Sequence, residues 1–305
     1  NSINSEILAK SNASKSSSII IGNYELLKSQ LKILKIKRKI RKIKKTEDFK
    51  KNDEVINVLD IPLKFKKPFN VSRKESSKYV KKCLLVSHSL CLQKKIKGII
   101  NCPINKKNLF KNKNQGVTEF LAKKNKVFNS EVMVIYNKNL SVVPITTHIK
   151  LKNVSKFIKK DFLSKKLITL NKFFIKYLKK TPKIGVLGLN PHNLELKKNS
   201  EEIKVIIPTI KLLKKSMKVS GPYPSDTIFF KDNLKKFDVI VGMYHDQVLS
   251  PFKALYGFDA VNITFGLPYI RMSPDHGIAE DKIKLNVSNP QSLNRCIDMI
   301  TKLIK

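Results

Sequence analysis

Only five histidines occur in 305 residues, and three of them close apolar, strand-like runs: SVVPITTH ends at His148, KIGVLGLNPH at His192 and FDVIVGMYH at His245. In open α/β sheets the carboxyl ends of the strands form the ligand crevice, so imidazoles delivered there converge on one place. Three neutral imidazoles with an open coordination position suit a divalent metal that must still receive a substrate oxygen. Taken singly, each histidine reads equally as a hydrogen-bonded strand-end residue. Their coincidence raises the metal site to an even alternative.

Acidic and donor side chains accompany them. Asp246 follows His245 directly, and Asp226 lies in GPYPSDT, where Pro222 and Pro224 predict a rigid loop. Such carboxylates orient ligand histidines, add a metal ligand or move a proton; Asp226 reads almost as well as the cap of a helix over 227–230. Lys253, Asn262 and Arg271 supply cationic and amide donors suited to a small phosphorylated, carboxylated molecule.

The elements that must position these groups alternate. Ser17–Gly22 reads as a buried strand and Tyr24–Leu34 as a helix, followed by a strand at 54–59, a helix at 76–92 and a strand at 98–101 that leads into the loop CPINKKN. A strand pair is expected at 131–136 and 140–147 across the polar turn 137–139, then mainly helix over 153–179. Short apolar runs follow at 183–189, 239–243 and 260–264. This alternation predicts an α/β fold with mostly parallel sheets and helices on both faces. The lobes are expected to intertwine. NSINSEILAK reads as the middle of an element, which leads us to expect a strand and loop before it.

Composition narrows the class. The chain carries 62 Lys and Arg against 23 Asp and Glu, a formal charge of +39, with 41% hydrophobic residues. That apolar fraction is enough for a folded core, and no apolar run approaches the roughly 20 residues of a membrane span. So large a positive charge invites a nucleic-acid reading. Yet the arginines are only Arg38, Arg41, Arg73, Arg271 and Arg295, and specific phosphate and base readers lean on arginine's planar fork. The densest run, Lys35–Lys45, alternates Ile36, Ile40 and Ile43 with charge, the pattern of an exposed edge strand whose lysines discourage edge pairing. Cys83, Cys91, Cys102 and Cys296 have no CxxC spacing and suggest no disulfide framework, which fits a reducing cytoplasm.

Five strings in order, GLNPH (188–192), GPYPSDT (221–227), MYHDQ (243–247), VNITFGLPYIR (261–271) and DHGIA (275–279), resemble the 4-hydroxythreonine-4-phosphate dehydrogenase family of pyridoxal phosphate biosynthesis. Weaker likeness runs through CPINK, GVTEF and TTHIKLKNV. The resemblance implies a two-lobed fold like isocitrate and isopropylmalate dehydrogenases, with a cofactor-side lobe at 1–112 and 260–305 and a metal, substrate and dimerisation lobe at 113–259. It implies His148, His192 and His245 as ligands of a divalent metal, zinc first, with magnesium or cobalt as alternatives. Thr118, Lys253, Asn262 and Arg271 would contact substrate, and Lys253, Asp226 and Asp246 would do the proton chemistry. Asp275, His276, Gly277 and Ala279 would line the site of NAD or NADP, which accounts for the lack of a glycine-rich dinucleotide fingerprint. A homodimer would share the active site. The implied reaction oxidises 4-phosphohydroxy-L-threonine at C3 and then decarboxylates it to 3-amino-2-oxopropyl phosphate.

The sequence departs from that pattern in three places. Val117 stands where GHTEF has histidine, NLELKKNS replaces the glycine-rich stretch after LNPH, and DKIKLN (281–286) replaces DIAGKG. Two other readings therefore stand beside the first: a dehydrogenase of a phosphorylated sugar acid such as 4-phosphoerythronate, or an inactive homologue that binds polyanions.

Overall fold

The computed structural model describes every residue except 1, 106–108, 110–115, 128–129, 197, 258 and 305. Lys106 and Lys107 of the CPINKKN loop and Lys197 of NLELKKNS thus lie outside the described residues. The chain divides into two units, Asn1–Lys113 with Tyr269–Lys305, and Asn114–Pro268.

The first unit opens with helix α1 (Asn4–Lys10). Strand β1 (Ile19–Gly22), helix α2 (Tyr24–Ile33), strand β2 (Lys39–Ile43) and strand β3 (Val55–Asp60) follow, with parallel order β1-β3-β2. Asn23 starts α2 by accepting the Leu26 N–H on its side-chain oxygen, the usual answer to an orphan donor in a first turn. Leu27 and Leu31 of α2 then pack on Ile56 and Val58 of β3. The lysine-rich run does form an edge strand: β2 pairs on one side only, and Lys42 reaches Asp60 at 2.9 Å. Helix α3 (Arg73–Leu92), started by the Ser72 hydroxyl, leads to strand β4 (Gly98–Ile100). A cavity of about 350 Å³, lined by both the β1 and β4 edges with Asn4, Tyr79 and Cys83, lies within this unit.

The second unit holds helix α4 (Val117–Lys124), the hairpin β5 (Val132–Tyr136) and β6 (Ser141–Pro144), and helix α5 (Lys160–Leu178). Strand β7 (Ile184–Leu187), helix α6 (Ile207–Leu213), strands β8 (Val219–Tyr223) and β9 (Val239–Gly242), helix α7 (His245–Tyr256) and strand β10 (Val261–Phe265) complete it. Its strands run in the order β10-β5-β6-β9-β7-β8, antiparallel for the first two pairs and parallel for the other three. Strand β10 is in register with β5 from Val261↔Tyr136 to Phe265↔Val132. That ladder carries the unit to Pro268, beyond the boundary at 259 that the resemblance implied.

One local expectation is corrected. GPYP was read as a rigid loop, yet Val219–Tyr223 is a strand; it lies at the outer edge of the sheet, where a proline costs no ladder hydrogen bond. Gly221 is obligatory there: its φ is +133°, and a Cβ would stand 2.3 Å from the Val186 carbonyl oxygen.

The first unit closes with strand β11 (Ile270–Pro274), parallel to β4, and helix α8 (Gln291–Leu303). No helix among the described residues is long and apolar enough to cross a membrane.

Phe265 anchors the apolar packing of the second unit. It is fully buried, stacked on the Phe173 ring at 3.4 Å between centroids and edge-on to Phe174. Phe265→Ala is expected to cost about 3–5 kcal/mol, read as a lower denaturant midpoint for the transition that exposes this unit.

Candidate metal and substrate site

Three neighbouring parallel strands, β6, β9 and β7, deliver the three histidines. Pro144 of β6 is level with Gly242 of β9, and Val186 of β7 with Val241, so the loops to His148, His245 and His192 leave the sheet at one end. The rings of His148 and His245 stand 6.3 Å apart. His192 is exposed on the short 3-10 turn Pro191–Leu196, at φ +48°. Among the described residues no group of three or more His, Cys, Asp or Glu side chains is close enough to hold a metal ion. The histidines are thus neighbours by strand without forming a closed ligand set. Their chemistry still fits one: Asp246 Oδ1 lies 2.6 Å from His245 Nδ1, a carboxylate–imidazole pair that leaves Nε2 as the nitrogen that could take a metal.

Buried polar side chains pin these loops. Thr146 donates its N–H and its hydroxyl to the Met243 carbonyl, at 3.1 and 2.7 Å. Gln247 accepts the Met243 N–H at 2.7 Å and donates to the Gly188 carbonyl at 2.7 Å. Glu202 is fully buried and accepts the N–H groups of Leu189 and Asn190 at 2.8 and 3.0 Å, with the Asn190 side-chain amide on its other oxygen at 3.0 Å. Burial pushes the Glu202 carboxyl up, but the Asn190 and Leu189 donors outweigh it and hold the group below the ordinary carboxylate range. At the third loop, Glu119 accepts the Gly116 N–H at 2.9 Å and the Thr147 hydroxyl at 3.3 Å, tying the start of α4 to the residue before His148. None of Thr146, Glu119, Glu202 or Gln247 was singled out from sequence; Gln247 stood inside MYHDQ, Glu119 and Thr146 inside the weaker matches GVTEF and TTHIKLKNV, and Glu202 inside none.

Two of the expected substrate contacts in this unit, Thr118 and Asn262, meet at one face of β10. Thr118 Oγ1 meets Thr264 Oγ1 at 3.2 Å, and Asn262 lies two residues from Thr264, hence on the same side of β10. Asn262 Oδ1 is a buried acceptor with no partner among the described residues, as a ligand donor would require. Lys253 follows Asp246 by two turns on the same side of α7, and burial pushes its ammonium pKa down. Asp226 is exposed in a turn; the next helix starts at Lys231 from Phe230, so Asp226 caps no helix. Val117 is buried as the first residue of α4.

Arg271 and the expected cofactor residues belong to the other unit. Arg271 is buried in β11 and donates from Nε to Asn101 Oδ1 at 2.6 Å. After β11, the Asp275 N–H donates to Ser292 Oγ at 3.0 Å, and His276 Nδ1 to the Gly277 carbonyl at 2.9 Å. His276 Nε2 is buried with no partner among the described residues. Space around Gly277 is open, and Ala279 adopts φ +45°. Glu6, at 1% exposure, holds the following segment by accepting the Ser288 N–H and hydroxyl at 2.6 and 3.1 Å. In DKIKLN the two positions that DIAGKG gives to glycine, Lys284 and Asn286, have φ of +70° and +56°. Both positions thus hold left-handed backbone without a glycine.

An α/β protein with ligand-type histidines at adjacent parallel strand ends is the class that fold and site define. Residues 14–300 match the family described as pyridoxal phosphate biosynthetic protein PdxA, and the chain belongs to that family. A 4-hydroxythreonine-4-phosphate dehydrogenase of Aquifex aeolicus is 37% identical over 94% of this chain and 89% of its own length. A D-threonate 4-phosphate dehydrogenase of Pectobacterium atrosepticum is 31% identical over 97% and 93%. The crystal structure of a 4-hydroxythreonine-4-phosphate dehydrogenase from Klebsiella pneumoniae superposes with a TM-score of 0.86 at 29% identity, covering 100% of this chain and 96% of that one.

Two outcomes test this geometry. Lys284→Gly should stabilise the protein by up to about 1 kcal/mol: removing left-handed strain of about 1–2 kcal/mol outweighs the added freedom of the unfolded chain, about 0.5–1 kcal/mol. A lower melting temperature would contradict it. Glu202→Gln should destabilise by about 2 kcal/mol near neutral pH, the scale of a hydrogen bond to a charged group. Because the folded carboxyl titrates below its unfolded value of about 4.3, its stabilisation is full above that value and is lost as pH falls through the folded one. The gap between wild type and variant should therefore close in acid, as followed by denaturation at several pH values.

Proposed function

We propose that this chain is a metal-assisted, NAD- or NADP-dependent dehydrogenase acting on the C3 hydroxyl of 4-phosphohydroxy-L-threonine, with decarboxylation to 3-amino-2-oxopropyl phosphate, in vitamin B6 synthesis. The observation that carries the reading is the delivery of His148, His192 and His245 to one end of three adjacent parallel strands, in a chain of this family.

In this reading the three imidazoles hold the divalent cation, zinc first, and Asp246 fixes the tautomer of His245. A cation there supplies Lewis acidity toward a substrate oxygen. Thr118 and Asn262 orient the substrate by hydrogen bonds, Asn262 Oδ1 accepting from a substrate donor. Lys253, with its pKa lowered by burial, exchanges a proton at the C3 oxygen, and Asp226 takes the outer proton-transfer position. Arg271 pairs with an anionic group of the substrate, while Asp275, His276, Gly277 and Ala279 receive the dinucleotide. The reading includes a cytoplasmic homodimer with a shared active site.

Val117 and the Pectobacterium relative favour a second substrate, a 4-phosphorylated sugar acid. A pocket that gives up a histidine donor loses its preference for a ligand group that needs one. NAD and NADP reduction with both substrate classes, in the presence of Zn²⁺, separates the readings. His192→Ala should lose most metal after dialysis against a weak chelator, together with turnover. Full metal retention by that variant would refute the ligand assignment, and no reduction of either dinucleotide by a metal-loaded wild type would refute the dehydrogenase.

A further inference from the structure

The amide of Gln247 joins two histidine loops at once. Its oxygen takes the Met243 N–H, two residues before His245, and its nitrogen donates to the Gly188 carbonyl, four residues before His192, both at 2.7 Å. Gln247 is 8% exposed, so both bonds are largely shielded from bulk solvent. The Met243 carbonyl receives Thr146, two residues before His148, and the segment just after Gly188 donates its N–H groups to buried Glu202. One buried line of polar contacts therefore runs beneath all three histidines: Thr146, Met243, Gln247, Gly188 and, through the next two residues, Glu202.

Two glycines mark how closely this line is fitted. A Cβ on Gly242 would lie 2.9 Å from Gln247 Oε1 and 2.6 Å from Val248 Cγ1. A Cβ on Gly188 would lie 2.0 Å from Asn193 Oδ1 and 3.2 Å from Glu202 Oε1. The strand ends thus give up side chains to let the polar groups in.

The geometry points to Gln247 as the positioning residue that sets the spacing of His192 relative to His245, and this inference rests on the reading of the histidines as metal ligands. An amide suits this place, since the site demands an acceptor and a donor at the end of one long side chain, and an amide carries both without a charge. A leucine supplies neither. A glutamate at neutral pH keeps the acceptor for Met243 and sets a carboxylate against the Gly188 carbonyl. Groups that orient metal ligands in this way typically change affinity about 10- to 100-fold when removed.

The test uses Co²⁺ as the probe, titrated into wild type, Gln247→Leu and Gln247→Glu and followed by its visible spectrum, with amide exchange of the metal-free proteins measured alongside. Both variants should bind Co²⁺ about 10- to 100-fold more weakly. In Gln247→Leu, exchange should quicken about tenfold at Met243 and at Leu189 and Asn190. In Gln247→Glu, Met243 should stay protected while Leu189 and Asn190 open, a split that a general loss of stability would not produce. If Gln247→Leu fails to fold, the Gln247→Glu split decides the matter. Wild-type exchange at both loops, or wild-type Co²⁺ affinity in both variants, would overturn the positioning role. Absence of Co²⁺ binding by the wild type, with the exchange split still seen in Gln247→Glu, would remove the metal reading and leave the coupling of the two loops standing.

Discussion

Parallel strands that end side by side leave backbone N–H and C=O groups with no further ladder to join, and a buried sheet end must satisfy them or lose stability. In the second unit that constraint falls on β6, β9 and β7 together. The partners come from the loops themselves: Thr146 on the Met243 carbonyl, Gln247 on Met243 and Gly188, Glu202 on the two N–H groups that follow. Satisfying the strand ends and fixing the loops to His148, His245 and His192 are therefore the same set of bonds. A change made for one purpose alters the other, so the scaffold of the site cannot be separated from the closure of the sheet.

The first unit solves a similar problem with Glu6. Its buried carboxylate collects the N–H and hydroxyl of Ser288, and Lys10 links it to the carbonyls of Asn286 and Ser288. The chain between β11 and α8 is thereby tied to α1. This tie bears on how Lys284 and Asn286 stay left-handed without glycine: backbone anchored at Asn286 and Ser288 can keep a conformation that a lone lysine would leave. Asparagine accepts that region readily through its short polar side chain, whereas lysine has no such compensation. Of the two lost glycines, the one at 284 carries the larger strain.

Strands and helices were legible because their period is written in side chains: the β5–β6 hairpin, the lysine-spaced edge strand and helix α2 follow from apolar spacing and turn residues alone. The strand ends at the three histidines were legible for the same reason. Strand β8 was not, since its Gly221-Pro222 pair and the Pro224 that follows it are local signals for a turn, and only its place at the sheet edge permits a strand. Glu202 was invisible because it stands ten residues after His192, and no short spacing links a carboxylate to N–H groups across a loop. Gln247 could have been found: a glutamine two residues after a strand-end histidine has an amide that can reach back to the strand. Nor does strand order reveal whether three imidazoles close around one ion, because that depends on loop paths set by tertiary contacts.

The charge pattern divides the work between attraction and selection. With 62 basic against 23 acidic residues, the field around the chain draws anions of every kind, and such a field raises encounter rates without distinguishing among phosphorylated acids. Distinction must come from groups that neither repel nor attract at long range. Asn262 offers a buried, unpartnered acceptor, which rewards a ligand that brings a donor and penalises one that brings another oxygen. Val117, buried at the start of α4, offers nothing to a polar group. An amino acid's ammonium can satisfy Asn262 Oδ1, and so can a sugar acid's hydroxyl; the ammonium adds a positive charge that the net positive field of the chain opposes. Within the proposed reaction, the choice between 4-phosphohydroxy-threonine and a phosphorylated sugar acid thus turns on whether the Asn262 acceptor outweighs that opposition at short range.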